Sequence, residues 1–121
     1  MFIVPVKKDN FYQVYLQILN GILKLTRTEI AVLAQFMEIR NDLSQVNLDK
    51  IYIDRLVFSS ENRKIIKEKL NISEQNLNNY IKSLKDKKAL LFFNNHYSIN
   101  PKIFITKQQA NVQFTIKIQG N

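Results

Sequence analysis

Residues 59–101, SSENRKIIKEKLNISEQNLNNYIKSLKDKKALLFFNNHYSINP, contain the pattern that decides the fold: helix, tight turn, helix and a two-stranded hairpin. Ser59 or Ser60 is a suitable N-cap for the first helix. Asn71 tolerates the left-handed conformation that often follows a helix, and Ser73 can cap a second helix almost at once. The apolar residues of the first helix that are expected to point inward are Ile65, Ile66 and Leu70.

The second helix has two contrasting faces. Leu77, Ile81 and Leu84 fall on one side, with Tyr80 at its border, because residues three and four apart stack on a helix. The opposite side carries Glu74, Gln75, Asn76, Asn78, Asn79, Lys82 and Lys85. Asparagine is a mediocre helix former, but its amide can pair with adenine in the major groove. The face is therefore either a base-contacting surface or an ordinary solvated one.

Two short strands are expected after this helix. The run LLFFNNHYSIN contains two strand-like segments joined at Asn94 and Asn95, which are turn formers. Pro101 cannot donate a ladder hydrogen bond, so it should end the second strand. The alternative to a functional hairpin is a plain structural turn.

Two segments resemble the recognition helix and wing of winged helix-turn-helix proteins, in particular small replication and regulatory proteins of plasmids and bacteriophages. They are NISEQNLNNYIKSLKDKKALL at 71–91 and YSINPKIF at 97–104. The resemblance implies an α+β fold with a three-helix core and a β-hairpin wing, to which this chain adds an N-terminal helix and terminal β-strands. One departure is Lys88, where many relatives have the glycine that ends the recognition helix.

The resemblance also implies double-stranded DNA as the partner. The amides and Lys82 of the second helix would lie nearest the bases, Ser73 would meet a phosphate, and the turn would lie over the minor groove or the backbone. For the lysines and arginine of the first helix, a solvated face is the alternative. The residues expected to contact DNA are Arg63, Lys64, Lys67, Ser73, Gln75, Asn76, Asn78, Asn79, Lys82, Lys85, Asn94, Asn95, His96 and Lys102.

Charge and composition favour the same partner. The 121 residues suit a single domain, and the net charge is +8. Residues 59–121 carry eleven Lys and Arg against four Asp and Glu, whereas residues 1–58 carry seven against six. A basic excess in the half with the two-helix motif is the expected footprint of a polyanion-binding protein. A cationic surface kept for solubility is the alternative.

The chain lacks the residue types that several other classes of function require. The chain has no cysteine, one histidine and two glycines, so thiolate metal sites and glycine-rich phosphate loops are not expected. No carboxylate pair or Ser-His-Asp arrangement indicates an enzyme. We therefore expect no catalytic residue, cofactor, metal or small-molecule ligand. The chain also lacks a long apolar run or leader, which predicts a cytoplasmic protein.

The N-terminal part is expected to form two helices. Residues 2–6 suggest an edge strand or arm, and Asp9 or Asn10 can cap a helix near which Gly21 marks an end or bend. Residues 25–40 form the most strongly predicted helix, begun by a Thr26–Glu29 capping box. The predicted apolar face of the earlier helix contains Phe11, Val14, Tyr15, Ile18 and Ile22.

Three further segments remain to be assigned. Residues 43–58 suggest a short helix followed by a strand, or an extended connection, with Val57 and Phe58 where a winged helix has its first strand. KIFIT at 102–106 could continue the second hairpin strand, and VQFTIKI at 112–118 alternates like a strand that needs a partner. The predicted parts are an N-terminal extension at 1–24, a core at 25–103 and a C-terminal strand extension at 104–121.

These expectations lead to two hypotheses. The first is a DNA-binding transcription regulator or replication initiator of phage or plasmid type. The second is an assembly or adaptor component, for example of a phage particle or polymerase complex, that uses the same fold for protein contacts. A homodimer through the N-terminal helix or the C-terminal strand is compatible with either hypothesis.

Overall fold

A computed structural model describes residues 10–110, which form an α+β fold of helices and one antiparallel hairpin. The predicted arm at 2–6 and strand at 112–118 lie outside the described residues. A further helix begins at residue 107. The complete elements are α1 (Phe11–Leu23), α2 (Arg27–Asp42), α3 (Lys50–Val57), α4 (Ser60–Leu70), α5 (Glu74–Asp86), β1 (Leu90–Phe93) and β2 (His96–Ile99).

Helix α2 is the centre of the core. Its Val32, Leu33, Phe36 and Met37 are fully buried, and it contacts α1, α3, α4 and α5. The predicted capping box is present: the Glu29 N–H donates to Thr26 Oγ1 at 3.2 Å, and the Thr26 N–H donates to Glu29 Oε1 at 2.7 Å. The helix therefore begins at the predicted capping box, two residues after the predicted start at residue 25, and ends two residues beyond the predicted end at residue 40.

Helix α1 packs with a side that only partly overlaps the predicted one, since Phe11 and Tyr15 contact the core but Ile18 and Ile22 do not. Tyr12 and Leu16 are its buried residues, whereas Ile18 is 71 % exposed and Ile22 is 83 % exposed. The Tyr12 hydroxyl donates to the backbone oxygen of Ile105 at 2.8 Å, which fixes the inward side. Gly21 neither ends nor caps the helix, which runs on to Leu23.

The segment at 43–58 contains helix α3 and no strand, so the strand predicted at Val57 and Phe58 is wrong. Val57 is the last helical residue, and the Phe58 N–H donates to the backbone oxygen of Asp54 at 3.1 Å. Ile53 and Val57 are both buried one helical turn apart. The core takes these apolar residues from a helix because helical spacing brings them to one side.

The strand predicted at KIFIT is also wrong. The oxygens of Ile103 and Ile105 accept hydrogen bonds from the hydroxyls of Tyr15 and Tyr12, at 2.6 and 2.8 Å. These side-chain bonds replace a strand ladder and hold residues 103–105 against α1. Thr106 then starts a helix through a second capping box with Gln109, at 2.9 and 3.1 Å. Residues 107–110 of the predicted C-terminal extension are therefore helical.

The α4–α5 unit follows the prediction closely. Ser59 and Ser73 are the N-caps, and Asn71 has a φ of 55° in the left-handed region. The Ile72 N–H reaches back to the Lys67 oxygen at 3.1 Å, which closes the end of α4. One of the three residues predicted to point inward does not: Ile65 is 55 % exposed, whereas Ile66 is fully buried and Leu70 packs against the core.

The hairpin has the expected turn. Leu90 pairs with Ile99 and Phe93 with His96, which leaves Asn94 and Asn95 as a two-residue loop. Their φ angles of 52° and 61° are both positive, as a type I′ turn requires. The rings of Phe92 and Tyr97 lie 4.7 Å apart across the strands, and the Tyr97 ring lies 5.8 Å from that of Phe58. This face of the hairpin is thereby attached to the core.

Helix α5 ends in a Schellman motif that contains a lysine where glycine is favoured. Lys88 has a φ of 64°, and the Ala89 N–H donates to the Leu84 oxygen at 2.9 Å. We expect Lys88→Gly to raise the free energy of unfolding by about 0.5 to 1 kcal/mol, because glycine adopts this conformation without strain. Urea denaturation measures the change. A loss of stability would show that the exposed Lys88 side chain is more important than its backbone conformation.

Candidate nucleic-acid interface

Helix α5 presents a continuous polar surface to solvent. Leu77, Ile81 and Leu84 are buried and hold the helix from behind. We define the amide face as Gln75, Asn76, Asn78, Asn79 and Lys82. All five of these residues are exposed, so no part of residues 10–110 covers the face. Lys85 lies at its edge and is half-buried.

Some of the hydrogen-bonding groups at the N-terminus of α5 are already used by its own N-cap. The Asn76 N–H donates to Ser73 Oγ at 3.1 Å, so this hydroxyl oxygen already has a partner. Glu74 places a carboxylate in the first turn, where it interacts favourably with the helix dipole. The same carboxylate repels a phosphate. Ser73 can still donate its hydroxyl proton outward, which is the contact the sequence predicted.

Arg63 on α4 connects the elements around the amide face. Its Nε donates to the Phe58 oxygen at 3.0 Å and its Nη1 to Asn78 Oδ1 at 3.4 Å. The guanidinium carbon lies 6.0 Å from the centre of the Tyr97 ring, on the hairpin. Arg63 was predicted to contact phosphate, and the structure gives it the additional role of joining α5 to the hairpin.

A cleft of about 260 Å³ separates the first halves of α4 and α5. Lys67 lines it, together with Arg63, Glu74 and Asn78, so three predicted DNA contacts meet one acidic side chain there. Lys64, by contrast, is exposed on the outer side of α4. The two lysines are thus predicted contacts of different kinds, one partly enclosed and one freely accessible.

The hairpin tip is polar at its turn and apolar beside it. Asn94 and Asn95 are exposed, and His96 is half-buried with Nδ1 3.4 Å from the Asn94 oxygen. Lys102 is exposed beyond the second strand. Phe93, opposite His96, is 72 % exposed. Phe93 is not among the residues predicted to contact DNA, although its position next to a two-residue turn already placed it at the tip.

The positive charge flanks α5 rather than lying on it. Within Glu74–Asp86 the two lysines are balanced by Glu74 and Asp86. The cations of α4 exceed its acids by two, and the chain beyond Asp86 has no Asp or Glu. The arrangement therefore places neutral hydrogen-bonding groups on α5 and the excess of cations in the segments before and after it in the chain.

A buried carboxylate fixes the far end of α5. Glu29 at the start of α2 is 2 % exposed; its Oε1 accepts from Lys87 Nζ at 2.6 Å and its Oε2 accepts from the Ser83 hydroxyl. Burial on its own raises the pKa of Glu29, but the hydrogen bonds from Lys87, Ser83 and Thr26 outweigh it and lower the pKa to about 2. This charged contact sets the position of α5 against α2.

Asn100 closes the base of the hairpin, a structural role that was not predicted from the sequence. Its Nδ2 donates to the Lys88 oxygen at 2.8 Å, and its Oδ1 accepts from the Lys102 N–H at 3.0 Å. The second bond is an Asx-turn, which the sequence Asn-Pro-Lys could have signalled. Asn100 thus ties the hairpin to the end of α5.

Two other features are absent from residues 10–110. These residues contain no group of three or more His, Asp and Glu side chains placed to hold a metal ion. None of their helices has the length and apolar character needed to cross a membrane. Comparison of the chain with protein-family models, curated proteins and solved structures gave no match.

Proposed function

We propose that α2, α4, α5 and the hairpin form a winged helix-turn-helix that binds double-stranded DNA, as a phage- or plasmid-type transcription regulator or replication initiator. The observation that carries the proposal is the amide face. It is uncovered by residues 10–110, lies on a helix anchored from behind, and belongs to the half of the chain that carries the basic excess. A solvated helix does not require this concentration of asparagine.

Each part of the surface has a distinct role in this proposal. The amide face enters the major groove, where Asn and Gln can pair with adenine N6 and N7, and Lys82 reaches a guanine or a phosphate. Lys64 and Lys67 contact phosphates and position the protein without reading sequence. The turn at Asn94 and Asn95 lies over the minor groove or the backbone. Specificity is thereby separated from electrostatic affinity.

The test compares one amide with one cation. We expect Asn79→Ala to weaken binding to the cognate duplex by about 1 to 3 kcal/mol and binding to random duplex much less, because a base contact is lost. We expect Lys64→Ala to weaken both by a similar factor. Fluorescence anisotropy on a site selected from random duplexes measures both affinities. Arg55→Ala, which removes an exposed cation of α3, is the control.

Equal losses on cognate and random DNA from Asn79→Ala would contradict the assignment of the amide face. If the wild-type chain selects no duplex at all, the second candidate function gains support. That candidate is a protein-binding component, and it is favoured by an apolar surface on α3 where Ile51, Tyr52 and Leu56 are all exposed. Affinity capture of a defined protein that Tyr52→Glu abolishes would identify this role.

A further inference from the structure

We infer that α1 is the contact surface for a second copy of this chain. The inference does not depend on DNA binding. It starts from a group of side chains that we call the outer stripe, which is the part of the predicted apolar face that does not pack against the core. The outer stripe consists of Val14, which is half-buried, and the exposed Ile18 and Ile22, whereas Phe11 and Tyr15 of the predicted face contact the core.

The outer stripe is an apolar surface in excess of what the core uses. Helix α1 buries Tyr12 and Leu16 against the rest of the protein; at 100° per residue Tyr12 lies about a third of a turn, and Leu16 nearly half a turn, from Ile18 at the middle of the stripe. Ile18 and Ile22 remain 71 % and 83 % exposed. A helix that is apolar around this much of its circumference is normally covered on more than one side.

Charge indicates which partner covers it. The 13 residues of α1, FYQVYLQILNGIL, contain no charged side chain, whereas the chain as a whole carries +8. Two copies repel each other wherever their basic surfaces meet, and α1 lets them approach without charges in the contact. An acidic partner would gain more by binding the basic half of the chain. The uncharged stripe therefore favours a second copy.

The helix is also suited to two-fold pairing. In an antiparallel pair with its axis near Ile18, Ile22 of one copy lies opposite Val14 of the other, so each contact is made twice. Gly21 lies on the solvent side of α1, and a Cβ added there meets no atom within 4 Å. Nothing among the described residues requires a glycine at this position of a helix, where alanine is favoured. Close approach of a second helix provides a reason for it.

The test uses the full chain and two matched substitutions. Sedimentation velocity between roughly 1 and 200 µM is expected to show a reversible monomer–dimer equilibrium. We expect Ile22→Glu to raise the dissociation constant at least about 100-fold, because each dimer would bury two carboxylates. Ile65→Glu on α4, which changes a similarly exposed isoleucine, should leave the constant within about 3-fold. Circular dichroism checks that both variants fold.

Three results would overturn the inference. The first is a wild-type chain that stays monomeric at the highest concentration. The second is a dimer that Ile22→Glu does not weaken, and the third is a dimer that Ile65→Glu weakens equally. In the first case, a drop in melting temperature on Ile22→Glu would show that the chain covers the stripe with its own residues. DNA binding by a monomer would leave the proposed function intact.

Discussion

Glu29→Gln is expected to lower the free energy of unfolding by about 2 to 3 kcal/mol at pH 7. The substitution keeps the shape of the side chain but removes the charge that Lys87, Ser83 and Thr26 stabilise. Lys87 is partly exposed, so its ammonium can be rehydrated, which keeps the loss below that of a fully buried pair. Urea denaturation at constant pH measures the difference.

The same contact predicts how stability depends on pH. The folded pKa of Glu29, about 2, lies below the ordinary value of 4.5, so the unfolded chain takes up a proton first as the pH falls. The stabilisation is fully present above pH 4.5 and is lost between there and about pH 2. The difference in stability between wild type and Glu29→Gln should therefore shrink over this range. A difference that stays constant down to pH 2 would contradict the role of the charge.

Asp54 provides a matched control for this prediction. It is also buried, at 4 % exposure, but burial raises the pKa of its carboxyl, because the opposing influence of Lys50, Arg40 and His96 is weaker. Its charge is thus less favourable in the folded protein than in the unfolded chain. Asp54→Asn should leave stability at pH 7 unchanged or slightly higher. Equal losses from both amide substitutions would mean that Glu29 acts through shape alone.

Affinity for duplex DNA is expected to fall by about 10²- to 10³-fold when salt rises from roughly 50 to 200 mM. This estimate assumes about four to five phosphate contacts, supplied by the cations that flank the amide face. Lys64→Ala should reduce the slope of log affinity against log salt by about one, because one released counterion is lost. Anisotropy titrations at four or more salt concentrations measure the slope. Arg55→Ala should leave it unchanged.

A flat salt dependence would contradict the electrostatic part of the proposal. So would a slope that Arg55→Ala reduces as much as Lys64→Ala does, since α3 would then share the contact. Because the Asn79 side chain carries no charge, Asn79→Ala is expected to change the affinity for the selected site without changing the slope.

Local signals in the sequence predicted the part of the fold from α4 to the hairpin. Ser59, Asn71, Ser73 and the Asn94–Asn95 turn each determine backbone geometry within a few residues, and each was found in its predicted role. Helix periodicity likewise identified the buried side of α5. Such features depend on neighbours in the chain, so they can be recognised without tertiary information.

Features that depend on distant contacts could not be predicted in this way. Helix α1 is apolar on two sides, and only the bonds from Tyr12 and Tyr15 to residues 103–105 select the side that faces inward. KIFIT has the composition of a strand, but two of its backbone oxygens accept these tyrosine hydrogen bonds instead of strand hydrogen bonds. The contact of Glu29 with Lys87 joins residues 58 positions apart.

The candidate site shows the same division. The residue types on α5 and their outward direction follow from spacing. The bonds of Arg63 to Phe58 and Asn78, and those of Asn100 at the base of the hairpin, appear only when the elements are assembled. The sequence thus indicated which groups are presented to a ligand, and the assembled structure shows what holds them in place.

A titration of the ¹⁵N-labelled full chain with its selected duplex, followed by NMR, tests the central claim most directly. Side-chain amide signals of Gln75, Asn76 and Asn79 can be observed individually, and they report on the proposed base contacts. We predict that these signals and the backbone signals of α5 shift most at saturation, followed by those of the Asn94–Asn95 turn. Shifts confined to α1 or α3, with the α5 amides unchanged, would contradict the account.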